Sequence, residues 1–130
     1  MAALEKIAQL EKAGEANRSV YASRPIDLVH LSRQSLGDAG LEAEILRMFD
    51  QMVVTYMSKI RQSMNFDETL LNLHSLKGAA AGVGASNIAI LAKAAEMETK
   101  LAGKPSHECL ADLRMAVEEV RHFIAEILDD

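Results

Sequence analysis

The stretch LHSLKGAAAGVGAS, residues 73–86, sets a histidine, a lysine and three glycines into a run otherwise made of leucine, alanine, valine and two serines. An imidazole nitrogen is a nucleophile, and a lysine ammonium is a compact charge for anionic oxygens. His74 with Lys77 three residues on is therefore a pairing that suits a phosphoryl group. Imidazole is substantially unprotonated at neutral pH, so such a nitrogen can attack without a dedicated base. The glycines need a reason, because each costs a helix interior about 1 kcal/mol relative to alanine.

A helix turns by about 100° per residue. On that wheel Leu73, Leu76, Ala80 and Val83 share one side, the core face, and His74 falls on the solvent flank. Its surface neighbours are Leu70, Leu71, Lys77 and Gly78, with Asp67 and Ala81 one turn further in either direction. Gly78 removes the side chain that would stand beside the imidazole, so a second protein can come close. Leu70, Leu71 and Ala81 are expected to supply apolar contact there.

The elements that hold this stretch are helical. Leu4, Ile7 and Leu10 mark a short amphipathic segment over residues 3–13, read as an accessory helix or arm within residues 1–24. Ile26 to Leu36 reads as a short helix stopped by GDAG. From Leu41, the positions Ile45, Leu46, Phe49, Met52, Val53, Tyr56 and Ile60 follow a 3.6-residue period, predicting a long helix that ends near Asn65. Asp67 is an N-cap or first-turn acid of the next helix, Gly84 its C-terminal breaker, and Ser86 an N-cap for the one after. Ile88, Leu91 and Ala95 mark that helix, which AGKP ends, and Leu110 to Ile127 form the last. Pro25 and Pro105 stand before periodic segments, where proline starts helices. Four substantial helices with short connections and no strand pattern predict an all-α, antiparallel up-down four-helix bundle over residues 25–130.

Composition narrows the function classes. A 130-residue chain with 49% hydrophobic and only 4% aromatic residues builds one domain with an aliphatic core. A net charge of -5 argues against nucleic acid and anionic membranes as partners. No apolar run is long enough to span a membrane and no signal peptide opens the chain, so a cytoplasmic monomer is expected. Cys109 alone makes no disulfide and is read as a small buried hydrophobe.

The joint pattern His74, Leu76, Lys77, Gly78 and Gly84 resembles the signature of histidine-containing phosphotransfer (HPt) domains, H-x-L-K-G followed by five residues and a second glycine. The likeness extends more loosely from Pro25 to about Leu128, and Val83 stands where a leucine is more usual. The resemblance implies that His74 accepts phosphate, through Nε2. It implies that Lys77 stabilises the phosphoryl charge and that Gly78 admits the partner, with Leu76 and Gly84 structural. It further implies a carrier without an ATP site, working between a sensor histidine kinase and response-regulator receiver domains, whose aspartate and Mg²⁺ supply most of the chemistry. No cofactor of its own is expected. Two other readings stay open: the phosphoacceptor domain of a chemotaxis-type kinase, and a bundle that binds receivers without accepting phosphate.

Other candidates are weaker. His30, His107 and His122 show no helical metal-ligand spacing, and His30 and His122 are expected on bundle surfaces. Glu96, Glu98, Glu118 and Glu119 read as solvated faces, and Met48, Met52, Met57 and Met64 as core filling. No second catalytic group converges on His74, which speaks against an enzyme. A carboxamide or hydroxyl from a neighbouring helix is expected to hydrogen-bond its ring.

Overall fold

The computed structural model describes residues 24–129, and the expected arm over residues 3–13 lies outside them. The described residues form five helices and no strand: α1 (Leu28–Gln34), α2 (Ala39–Gln62), α3 (Phe66–Val83), α4 (Ser86–Ala102) and α5 (His107–Leu128). The last four close a ring in which α2 touches α3, α3 touches α4, α4 touches α5 and α5 returns to α2. Their short connections force each to run antiparallel to the one before, giving an up-down four-helix bundle. Short α1 packs on α3 and α2.

Side-chain caps fix most of the helix starts. Asp27 accepts from Val29 and His30 N–H at 3.0 and 3.1 Å. Asp38 accepts from Leu41 N–H at 3.0 Å, Asn65 from Glu68 N–H at 2.8 Å, and Ser106 from Cys109 N–H at 3.1 Å. Several boundaries differ from the sequence reading, and α1 spans Leu28–Gln34 where Ile26 to Leu36 was expected. Helix α2 stops at Gln62, because Ser63 turns extended, and Asn65 caps α3, leaving Asp67 as a first-turn acid. Ser86 is the first residue of α4 rather than its cap. The cap position belongs to buried Ala85, which has no side-chain oxygen to offer.

Gly84 explains why that junction is so tight. It sits at φ 85°, and Ala85 N–H reaches back to Ala80 carbonyl at 2.8 Å while Gly84 N–H reaches Ala81 carbonyl at 3.3 Å. This is a Schellman-type helix end. A Cβ at Gly84 would lie 2.9 Å from the Asp27 carbonyl oxygen and 3.2 Å from His30 Cδ2. Asp27 N–H donates to the Gly84 carbonyl at 2.9 Å, and His30 Nε2 lies 3.2 Å from the Gly82 carbonyl. The glycine thus serves both the αL turn and the docking of α1.

Among the described residues the core is aliphatic around one fully buried aromatic, Phe49, with Leu46, Leu73, Leu76, Ile88, Leu113, Ile124 and Ile127 among its other fully buried side chains. The methionines correct the sequence reading. Met57 is buried and Met52 half-buried, but Met48 and Met64 are 61% and 97% exposed. Met64 lies past the end of α2, beyond the reach of the periodicity, and Met48 falls on its outer flank. Cys109 is half-buried rather than core. Burial, followed by the charge of Glu98, pushes its thiol pKa up, which makes it a poor nucleophile. His122 is exposed and lies 3.0 Å from Glu126, as a surface histidine would.

Candidate functional site

Core packing decides where His74 points. Leu73 and Leu76 are fully buried, Ala80 with them, so the one-residue offset of His74 turns its ring outward. Its side chain is 70% exposed. Of the neighbours named from the wheel, Asp67, Leu71, Gly78 and Ala81 are exposed and Leu70 is half-buried. Leu71 is 65% exposed, a large apolar side chain left uncovered beside the histidine.

Nothing inside the fold requires a glycine at position 78. A Cβ there would meet no atom within 4 Å, and the same holds at Gly82. The helix therefore bears the cost of Gly78 without any internal packing gain, and the open space lies on the outside, next to His74. Gly84 and Gly78 thus have different causes, one internal and one external.

One residue at the site was read wrongly from the sequence. Glu96 of α4, expected on a solvated face, is buried, with its side chain 9% exposed, and it faces the histidine. Its Oε2 lies 3.6 Å from His74 Nδ1, and its Oε1 lies 3.0 Å from Lys77 Nζ. The first separation is longer than a hydrogen bond. The second is a charge contact whose angle misses hydrogen-bond geometry, so Oε1 is left without a hydrogen-bond donor. The side chain of Lys77 is 29% exposed, which keeps the pair partly desolvated. The polar group facing Nδ1 is thus a carboxylate of the following helix, set beyond hydrogen-bond distance, where a hydrogen-bonding carboxamide or hydroxyl was expected.

The signal for Glu96 was present but indirect. The buried stripe of α4 is Ile88, Ala92, Ala95 and Thr99, and Glu96 stands four residues after Ala92 and three before Thr99. A carboxylate on the edge of an alanine stripe faces the neighbouring helix, and that helix carries His74. Glu98 is the acid whose surroundings are polar: it accepts from Ser106 N–H at 2.6 Å. Glu118 and Glu119 are exposed as read.

The arrangement offers an exposed imidazole whose Nδ1 is turned to a buried carboxylate, leaving Nε2 outward, with an ammonium beside it and a low, partly apolar surround. Among the described residues no group of three or more His, Cys, Asp or Glu side chains is placed to hold a metal ion. Among them, too, no helix is long and apolar enough to cross a membrane.

Residues 44–123, more than half of the chain, match the family model described as the Hpt domain. No curated protein and no solved structure matches the chain significantly.

Proposed function

Because the chain belongs to the Hpt domain family, whose members carry phosphoryl groups in two-component signalling and meet receiver domains and kinases, we propose that His74 is the residue that carries the phosphate here. The single observation that supports this best is its setting. An exposed imidazole faces Glu96 through Nδ1 and has Lys77 alongside and open space over Gly78.

The step is a displacement at phosphorus. The Nε2 lone pair of His74 attacks the aspartyl phosphate of a receiver, the N–P bond forms as the P–O bond to the aspartate breaks, and the carboxylate leaves with the electron pair. Nδ1 keeps its proton throughout, on the side facing the Glu96 carboxylate, whose charge favours the tautomer with Nε2 free. The ring gains positive character as it attacks, and a buried carboxylate at the far nitrogen offsets that charge. Transfer onward to a second receiver is the reverse step. Phosphoryl transfer asks mainly for alignment and charge stabilisation. The Mg²⁺ that neutralises the phosphate belongs to the receiver.

Lys77 has two anionic neighbours in this scheme, Glu96 before phosphorylation and the phosphoryl oxygens after it. The open side over Gly78, with Leu71 and Ala81, takes the receiver's face. We assign these residues to docking and keep Asp67 at the edge of that surface.

The test is transfer from a phosphorylated receiver with Mg²⁺, followed by acid lability of the label, on the wild-type chain and on His74→Gln. Acid-labile phosphate on the wild type and none on the variant supports the carrier reading. Equal labelling of both would overturn the assignment of His74. A chain that binds phosphorylated receivers tightly yet takes no label would favour the adaptor reading.

A further inference from the structure

Across the bundle from the seam of α3 and α4, where His74 and Glu96 meet, α2 and α5 enclose a cleft of about 120 Å³. Its lining is Met57 and Arg61 from α2 and His107, Leu110, Ala111 and Arg114 from α5. The floor is apolar, with Met57 buried and Leu110 and Ala111 half-buried, and the rim is cationic.

No described acidic side chain pairs with that rim. Among the described residues Arg61, His107 and Arg114 have no ion pair or hydrogen bond to a side chain, although the chain as a whole is acidic at -5. Glu118 stands four residues beyond Arg114 and makes no pair with it. Arg121, the next arginine on α5, shows the alternative, since it is tied to Asp50 of α2 at 2.9 Å. Arg61 gains something from its place in the last turn of α2. His107 does not, because it opens α5, where the helix dipole disfavours a cation. Arg61, His107 and Arg114 are exposed, and gathered around one cavity with an apolar floor they offer an anion several N–H donors from two helices.

We infer that this cleft is an oxyanion subsite, built for a phosphate group, free or as the ester of a small molecule. At about 30 Å³ per water, the volume holds roughly four waters, enough for a tetrahedral oxyanion and too little for a drug-sized ligand. Two guanidinium forks and an imidazole present more N–H donors than one carboxylate accepts, and they match the several oxygens of a phosphate. The apolar floor of Met57 and Leu110 suits the carbon side of an ester. The site is separate from His74 and goes beyond the carrier reading.

The experiment is a ¹H–¹⁵N NMR titration of the full chain with inorganic phosphate and, separately, with phenyl phosphate, each against chloride at matched ionic strength. Saturable shifts are expected at Arg61, His107, Leu110 and Arg114, and Arg61→Gln and Arg114→Gln should each weaken binding by about tenfold or more. Tighter binding of phenyl phosphate assigns the cleft to an ester, and equal binding assigns it to phosphate itself. Shifts that climb linearly and match those of chloride would overturn the site, as would an affinity unchanged in both variants. Phosphate acceptance at His74, assayed on the same variants, should be unaltered. That readout separates failure of this subsite from failure of the carrier reading.

Discussion

At the scale of single residues, the proposed chemistry rests on three side chains from two helices. Glu96 is buried beside Lys77 and is turned to the inner nitrogen of His74. Glu96→Gln keeps the shape and removes the charge, so the bundle should stay folded while phosphate acceptance slows by about tenfold. That is the scale of one charge-assisted contact. The same variant should raise the fraction of the Nε2–H tautomer of His74 in ¹⁵N spectra of the ring. A role for Glu96 in packing alone would leave that tautomer balance unmoved. Lys77→Ala leaves a buried carboxylate without its cation, which costs several kcal/mol for a fully buried pair. With Lys77 partly in solvent the loss should be about 1–2 kcal/mol, read as a lower urea midpoint, together with slower but surviving transfer. That His74, Lys77 and Gly78 share one helix was legible in the sequence, because their types and spacing follow a single helical run. Glu96 was not, because its role depends on how α3 and α4 pack side by side, and a helix wheel drawn for one element does not carry that pairing.

At the scale of elements, Gly78 within α3 and Gly84 just past its end should behave in opposite ways. Gly84 is at φ 85° with the Asp27 carbonyl 2.9 Å from where a Cβ would sit. Gly84→Ala should therefore destabilise the domain by about 2 kcal/mol or more, measured by chemical denaturation. Gly78→Ala fills open space in a helix interior and should stabilise by roughly 0.5–1 kcal/mol. The larger Gly78→Leu should block receiver docking with the fold intact. A gain in stability joined to a loss of transfer is the mark of a residue kept for a partner. The loop from α4 to α5 supplies a pH test. The Ser106 hydroxyl, aided by its backbone N–H and by Cys109, outweighs the effect of burial and holds the Glu98 carboxyl below its ordinary 4.5. A depressed folded-state value means stabilisation that is present above the unfolded value and lost as pH falls through the folded one. The stability advantage of the wild type over Glu98→Gln should thus be present at neutral pH and shrink as pH drops below 4.5.

At the scale of the whole molecule, the bundle is a scaffold whose core is complete without the site. Leu73 and Leu76 on one side of α3 are fully buried and do not involve the exposed ring. His74→Gln should therefore melt within about 0.5 kcal/mol of the wild type. A collapse of its thermal midpoint would contradict the surface placement. The all-helical architecture was readable because its core follows the 3.6-residue period and its connections carry glycine, proline and capping residues. Less of the surface was readable. Met48 and Met64 belong to the same apolar class as the core and differ only in where α2 places them, and the cations of the α2–α5 cleft come together only once those helices pack. The central claim is that this bundle carries phosphate on one nitrogen of one histidine. The most direct measurement is ³¹P and ¹⁵N NMR of the ¹⁵N-labelled chain after transfer from a phosphorylated receiver. A single phosphoramidate signal coupled to Nε2 of His74 is the predicted result. Phosphate on His30, His107 or His122, on Nδ1, or on no histidine at all would contradict it.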